Sequence, residues 1–207
     1  MFLILDFTKS LKLAIFSKNI LLTKELNTQK NISEILIIEV EKFLKKSKIS
    51  INQLKSIYVI TGPGSFTGIR SALTFAKSLK LTMKLNLYGL SKFEIINFKF
   101  KINKYNENRR IFLHYRDSQF FSQTFKGYKS IDEVRLINFN DEKLKLNNKL
   151  TYIYDNILFK ALAENETFKK EDSLHLVTYN FIEINEIIIN NMIDNTDPKP
   201  LYISNYY

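Results

Sequence analysis

The chain has 207 residues, a net charge of +10 and no cysteine. The lack of cysteine excludes disulfides, thiolate metal sites and cysteine nucleophiles. No apolar run approaches the roughly 20 residues that a membrane helix needs, and the opening MFLILDF lacks a basic leader and reaches Asp6 after a short apolar run. We therefore expect no signal peptide, no membrane contact and a cytoplasmic location.

The basic excess, 31 Lys and Arg against 21 Asp and Glu, raises the question of nucleic-acid binding. Only five of the basic residues are arginine, the side chain best suited to phosphate, and the lysines are scattered along the chain. A solvated basic surface is the simpler interpretation, and direct RNA contact stays open as the alternative.

The first part of the chain predicts a three-stranded meander from FLILDF, LKLAIFSK and NILLTKEL. NISEILIIEVEKFLKKSKIS predicts a helix, with Asn31 or Ser33 as its cap and lysines in its last turn. LKSIYVI then predicts a strand, GIRSALTFAKSLKLTMK a second helix, and LNLYGLS a further strand. This order indicates an α/β lobe.

The second half repeats the theme: NRRIFLHYRDSQFFSQTFKG predicts a hairpin and KLTYIYDN a strand. ILFKALAEN and NFIEINEIIINNMI predict two helices. The polar stretch FKINKYNENRR separates the halves, so we expect an amino-terminal lobe at residues 1–100 and a carboxy-terminal lobe at residues 101–207.

SIYVITGPGSFTGIR, residues 56–70, holds three of the five glycines. A strand, a glycine turn and a helix amino terminus form a natural anion site, but the spacing fits neither a P-loop nor the dinucleotide fingerprint. The pattern favours a helix-capping corner, with Ser65 or Thr67 as the cap and Phe66 plugging the lobe. The residues of this loop are Gly62, Pro63, Gly64, Ser65, Phe66, Thr67, Gly68 and Arg70.

Catalytic chemistry has little support in the sequence. Ser65 and Thr67 lie outside any Gly-x-Ser-x-Gly motif. His114 and His175 are the only histidines, and they do not have metal-ligand spacing. We therefore predict no catalytic residue, no metal site and no cofactor.

Both helices of the first half carry more apolar surface than one sheet can cover. On the first, Ile35 and Ile38 lie outside the predicted core stripe, which comprises Ile32, Leu36, Val40, Phe43 and Leu44. The predicted core stripe of the second comprises Ile69, Ala72, Leu73, Ala76, Leu79 and Met83. The second helix also has a separate ridge at helical spacing in which small hydroxyl residues surround one aromatic ring: Ser71, Phe75, Ser78 and Thr82. A solvent-facing ridge with one exposed Phe is the alternative, but the pattern favours a surface against which a partner helix packs.

Several segments, in order, resemble the TsaB (YeaZ) family: LILDFT, ISEIL, GPGSFTGIR, YGLS at 88–91 and PLYISNYY. GPGSFTGIR is the most specific of them. The chain departs from the family where Ile32-Ser33-Glu34 replaces the usual His-Ser-Glu, and where Asp6-Phe7-Thr8 replaces Asp-Thr-Ser.

The resemblance implies a two-lobed α/β fold of the actin-like ATPase (ribonuclease H-like) type, with helices on a mixed sheet in each lobe. It also implies a non-catalytic accessory subunit, a pseudoenzyme, in the bacterial machinery that makes threonylcarbamoyladenosine next to the tRNA anticodon. Such a subunit forms a heterodimer with the catalytic subunit TsaD through the two amino-lobe helices, and joins the ATPase TsaE in a larger complex. Contact with tRNA would be indirect or weak, and the isolated chain could pair with its own copy.

Two other classes of function stay open. A glycoprotease-like or phosphotransfer enzyme is suggested by the fold and by Asp6, which stands where actin-like ATPases keep a phosphate-site acid. A tRNA-binding module is suggested by the net charge alone.

Overall fold

A computed structural model describes residues 1–17, 20–26, 32–100, 108–117, 119–138, 150–154, 174–176, 179–190, 193 and 197–201. They divide into two compact units: the first comprises Met1–Lys92 with described residues of Ile184–Leu201, and the second lies within Phe93–Glu183. No helix among the described residues is long and apolar enough to cross a membrane.

The first unit is built on a five-stranded sheet in the order β3-β2-β1-β4-β5. Strand β2 is antiparallel to β1 and β3, whereas β1, β4 and β5 run parallel. This order with one reversed strand is the ribonuclease H-like arrangement, so the predicted fold class is confirmed. The elements are β1 Phe2–Asp6, β2 Leu11–Ser17, β3 Ile20–Leu26, α1 Ile32–Lys46, a 3-10 turn Ile51–Gln53, β4 Ser56–Gly62, α2 Phe66–Met83 and β5 Asn86–Ser91.

Helices α1 and α2 share one core with the sheet and contact each other. On the strands, alternate residues such as Leu3 and Leu5 point into this core, as the two-residue period requires. The helical stripes predicted from the sequence are confirmed by the buried residues Leu36, Val40, Phe43 and Leu44 of α1 and Ile69, Ala72, Leu73 and Ala76 of α2.

The opposite face of the sheet carries a row of aromatic rings across four strands. Phe2 stacks on Phe16 at 5.3 Å and meets Tyr58 edge-on at 5.2 Å, and Tyr58 stacks on Tyr88 at 5.0 Å between ring centres. Burial raises the pKa of the Tyr58 hydroxyl. Such offset and edge contacts fix the register of neighbouring strands.

The second unit holds a six-stranded sheet in the order β11-β10-β6-β7-β8, with β9 also paired to β7. The predicted hairpin is confirmed as the antiparallel pair β6 and β7, and the predicted strand KLTYIYDN as β10. The predicted helix ILFKALAEN lies outside the described residues. The elements of this unit are α3 Lys92–Lys99, β6 Asn108–Arg116, β7 Gln119–Lys126, β8 Lys129–Ser130, β9 Arg135–Asn138, β10 Leu150–Tyr154 and β11 Leu174–Leu176. The final helix, α4 Phe181–Ile189, begins in this unit, but from Ile184 onward its residues belong to the first unit.

A buried arginine ties α3 to this second sheet. Arg109 donates hydrogen bonds to Asn97 Oδ1 at 3.0 Å, to the Phe100 carbonyl at 3.0 Å and to the Gly127 carbonyl at 2.6 Å. A buried guanidinium requires such partners, because desolvating it without them is costly.

An ion pair fixes α1 against the edge strand β3. Lys24 Nζ of β3 lies 2.6 Å from Glu39 Oε2, and Lys42 Nζ lies 3.1 Å from Glu39 Oε1. Hydrogen bonds from Lys24 and Lys42 hold the pKa of Glu39 below its ordinary value of 4.5. Because this pKa is lower in the folded chain, the pair stabilises the fold above that value, and the stabilisation is lost as the pH falls through the folded pKa.

We expect Glu39→Gln to lower the free energy of unfolding by about 0.5–1 kcal/mol at neutral pH. The difference from the native chain should shrink as the pH falls below 4.5, the ordinary value for this carboxyl. Urea unfolding at neutral pH and at a pH below 4.5 measures the difference in the free energy of unfolding. Glu41→Gln is the matched control, because the Glu41–Lys45 pair is highly exposed and its loss should destabilise the fold less than Glu39→Gln does. A pH-independent effect of Glu39→Gln would contradict the ion-pair explanation.

Candidate partner-binding surface

The glycine loop, residues 62–70, joins the end of β4 to the start of α2. Ser65 is the helix cap, since its Oγ accepts a hydrogen bond from the Gly68 amide at 3.2 Å. The helix therefore begins at Phe66, two residues earlier than the predicted segment at Gly68. Thr67, the other predicted cap, is an exposed residue of the first turn.

Two glycines of this loop make room for the chain that leaves β1. A Cβ atom on Gly64 would collide with the backbone and Cβ of Thr8, and one on Gly68 would collide with the Phe7 carbonyl. The Ser65 amide also donates a hydrogen bond to the Thr8 carbonyl at 2.7 Å. Gly64 and Gly68 are thus required by close backbone approach.

The prediction that Phe66 plugs the lobe is wrong. Phe66 is 43% exposed, and the Arg70 guanidinium stacks on its ring at 3.7 Å. The interior beside the loop is occupied by Phe7, which is completely buried and whose backbone contacts Gly68. Phe7 therefore supplies the buried ring that Phe66 was expected to provide.

The loop and the end of β1 satisfy one another's polar groups. Asp6 Oδ1 accepts hydrogen bonds from the Thr8 amide at 3.0 Å and the Thr8 hydroxyl at 2.6 Å. The amides of Ser65 and Gly68 are engaged by Thr8 and Ser65. Two of the amides available to a phosphate at this helix end, those of Ser65 and Gly68, are therefore used within the chain. In the described part of the chain no cluster of three His, Asp or Glu side chains could hold a metal ion.

The carboxy-terminal segment lies beside the same loop. The Leu201 amide donates to the Thr61 carbonyl at 2.9 Å, and Leu201 Cβ lies 3.6 Å from the position of a Cβ on Gly62. Gly62 has φ +119°, a conformation that glycine adopts without strain. Segments far apart in sequence, LILDFT, GPGSFTGIR and the start of PLYISNYY, thus meet at one place in the first unit.

The exposed apolar side chains of α1 differ in part from those expected. Ile38 is 50% exposed, but Ile35 is half-buried and packs against the core. Ile37, which was not among the expected residues, is 64% exposed. The run ILII itself is the sequence signal for Ile37, because four successive apolar residues on a helix cannot all face one sheet.

The ridge of α2 is small and polar, yet its hydroxyls are satisfied within the helix. Ser71, Ser78 and Thr82 donate to the carbonyl four residues earlier at 2.8, 3.0 and 2.9 Å. Another helix can therefore approach them without leaving a hydroxyl unpaired. Phe75, in the same ridge, is half-buried and packs partly against the core. Leu81, 81% exposed, is an apolar side chain that sequence reasoning missed.

The two histidines belong to the second unit. The His114 ring meets the edge of Phe120 at 5.4 Å between centres, and its Nε2 lies 3.2 Å from the Asp117 carbonyl oxygen. These are the contacts of a packed histidine. His175 lies in β11.

These features define a class: a two-unit α/β protein with a ribonuclease H-like sheet, a glycine loop closed by its own chain, and two helices with exposed apolar side chains. The family model described as TsaD, tRNA N6-adenosine threonylcarbamoyltransferase, matches residues 22–181 of the chain. The chain belongs to this family, and within it to the TsaB (YeaZ) proteins.

Curated relatives match over shorter stretches. The tRNA threonylcarbamoyladenosine biosynthesis protein TsaB of Buchnera aphidicola is 30% identical over 83 residues, which cover 40% of each chain. The uncharacterized protein MG208 homolog of Mycoplasma pneumoniae is 46% identical over 50 residues, 24% of this chain and 26% of that protein. The matches therefore span less than half the length of these relatives.

Among solved structures, YeaZ from Pseudomonas aeruginosa superposes with a TM-score of 0.68 at 12% identity, covering 98% of this chain and 99% of that one. A second structure, of a Pseudomonas aeruginosa protein with similarity to peptidase YeaZ, gives 0.69 at 12% identity, covering 97% and 98%. At this identity the likeness establishes the fold.

We expect Gly64→Ala to destabilise the protein by about 2 kcal/mol or more, because the new methyl group meets the backbone of Thr8 rather than a movable side-chain end. Gly68→Ala should act similarly through the Phe7 carbonyl. Thr67→Ala, an exposed change in the same loop, should stay within about 0.5 kcal/mol. Chemical denaturation measures all three, and equal stability of Gly64→Ala and Thr67→Ala would contradict the close-approach explanation.

Proposed function

We propose that this chain is a non-catalytic subunit of the machinery that makes threonylcarbamoyladenosine in tRNA, and that it acts by binding TsaD. The observation that carries the proposal is a surface of exposed apolar and small hydroxyl side chains on α1 and α2, here called the helix-pair surface. It comprises Ile37, Ile38, Leu81, Ser78 and Thr82, which are exposed, and the half-buried Ser71. Family membership supports the RNA-modification role.

The α1 part of this surface contributes apolar area. Ile37 and Ile38 are 64% and 50% exposed, although neighbouring residues of the same helix are buried in the core. Full burial of an isoleucine side chain is worth roughly 1.5–3 kcal/mol. Two adjacent exposed isoleucines are therefore well suited to anchor a protein interface.

The α2 part of this surface allows a partner helix to approach closely. Ser78 and Thr82 are exposed, and their hydroxyls already donate to the helix backbone. Small side chains with satisfied hydroxyls allow two helix backbones to come near each other without a desolvation penalty. A partner helix pair fits this geometry, and we expect TsaD to supply one, because the TsaD family model matches residues 22–181 of this chain.

The closed loop supports an accessory role rather than catalysis. Asp6, Thr8 and Ser65 satisfy each other where a nucleotide phosphate would otherwise bind. In this proposal the loop sets the direction of α2, and the chemistry belongs to TsaD. The larger assembly with TsaE and the cytoplasmic location belong to the same proposal.

We expect Ile38→Glu and Ile37→Glu each to weaken association with TsaD of the same organism by at least about ten-fold, because a carboxylate would be buried against apolar atoms. Co-purification and titration calorimetry with the purified pair measure this. Ile131→Glu is the matched control, since it makes the same change at an exposed isoleucine of the second unit. Thermal melts check that all three variants fold.

Two results would overturn the interface. Either the native pair never associates, or the α1 variants bind TsaD as tightly as Ile131→Glu does. The isolated chain offers a second readout, because a surface suited to a homologous partner can also pair with its own copy. Light scattering of the native chain and of Ile38→Glu would show whether self-association depends on the same residues.

We expect no saturable binding of ATP with magnesium to the isolated chain, because Asp6 Oδ1 is engaged by Thr8, and the amides of Ser65 and Gly68 are engaged by Thr8 and Ser65. Titration calorimetry at millimolar ATP measures this. Micromolar binding that is lost in Asp6→Asn would instead favour the phosphotransfer alternative.

A further inference from the structure

The hairpin of β6 and β7 carries a feature that the helix-pair surface does not use. Four of the five arginines lie between Arg109 and Arg135, and residues 108–138 hold six Lys and Arg against three Asp and Glu. Arg109 is buried and bonded within the second unit, whereas Arg116 and Arg135 are exposed. The exposed cations of this segment thus outnumber its acids only slightly, and the segment stands out by its arginine content. A local excess of cations attracts the phosphate backbone of a nucleic acid.

A β-bulge in β6, beside the turn that leads to β7, carries an exposed aromatic side chain. His114 pairs with Phe120 and Arg116 pairs with Gln119, so Tyr115 is the extra residue on β6. Bulges re-aim a side chain and are frequent beside functional sites. Tyr115 is 40% exposed, and its ring lies 4.8 Å from that of Phe121 on the neighbouring strand.

An arginine accompanies this ring. The Arg116 guanidinium lies 5.2 Å from the centre of the Tyr115 ring, and Arg116 Nε donates to Gln119 Oε1 at 3.1 Å. The Arg116 guanidinium is therefore farther from its ring than the Arg70 guanidinium, which lies over Phe66 at 3.7 Å from the ring centre. Asp117, in the turn, is the acidic residue adjacent to Arg116 in the chain.

We propose that Tyr115, supported by Phe121 and Arg116, is a stacking site for an unpaired RNA base. Aromatic rings on adjacent strands, with arginine beside them, are how sheet surfaces hold single-stranded RNA: the ring stacks on the base and the cation meets the phosphate. The inference deepens the proposed function, on which it rests, by giving this subunit its own contact with RNA.

The test is fluorescence anisotropy with labelled single-stranded oligouridine and a tRNA anticodon stem-loop, using the full chain at low salt. We expect Tyr115→Ala to weaken binding about ten-fold, the order of one lost base stack. Tyr115→Phe keeps the ring and should bind within about two-fold of the native chain. Tyr128→Ala, an exposed tyrosine packed near Phe98, is the matched control and should not change binding.

Arg116→Gln gives an independent readout, because loss of one phosphate contact should lower the slope of log affinity against log salt by about one. The proposal is overturned if the native chain shows no saturable binding to either RNA, or if Tyr115→Ala binds as the native chain does. Circular dichroism verifies that the variants are folded.

Failure of this site and failure of the subunit role are distinguishable. The Tyr115→Ala variant should still co-purify with TsaD. The Ile38→Glu variant should co-purify poorly with TsaD but bind RNA as the native chain does. Loss of TsaD by Tyr115→Ala would mean that the hairpin is a protein contact and would overturn the stacking site. If TsaD does not co-purify with the native chain, the subunit role is overturned, but the stacking site at Tyr115 is not.

Discussion

The structure of the first unit depends on the close approach of two backbone segments. The chain leaving β1 at Phe7 and Thr8 crosses directly against Gly64 and Gly68, with a hydrogen bond from the Ser65 amide to the Thr8 carbonyl. This contact joins the central strand of the sheet to the first turn of α2. Since backbone atoms cannot change rotamer to relieve a clash, the direction of α2 is set there more firmly than side-chain packing alone could set it.

The same contact changes what the fold can do. A ribonuclease H-like sheet places a strand end, a glycine turn and a helix amino terminus together, which is an arrangement suited to binding phosphate. Here Thr8 and Ser65 use the amides of Ser65 and Gly68, and Asp6 accepts two hydrogen bonds from Thr8. The loop holds α2 against β1 with polar groups that could otherwise face a ligand, which agrees with the proposed accessory role.

Local patterns in the sequence predicted the elements that local physics decides. Periodicity identified Leu36 and Val40 as core residues of α1, and the alternating runs around His114 identified the β6–β7 hairpin. Long-range contacts decided the rest. Phe66 was expected inside, but Phe7 fills that space, and the bulge at Tyr115 depends on a cross-strand register that no single segment encodes.

The two units differ in what their surfaces can attract. Of the five arginines, only Arg70 lies in the first unit, and its guanidinium stacks on Phe66. The first unit instead exposes isoleucine and small hydroxyl residues with internally satisfied hydrogen bonds, which favour a protein helix. The hairpin of the second unit places Arg116 beside the half-exposed Tyr115, which favours RNA. The proposed accessory role uses both attractions, because such a subunit would hold an enzyme and its RNA substrate together.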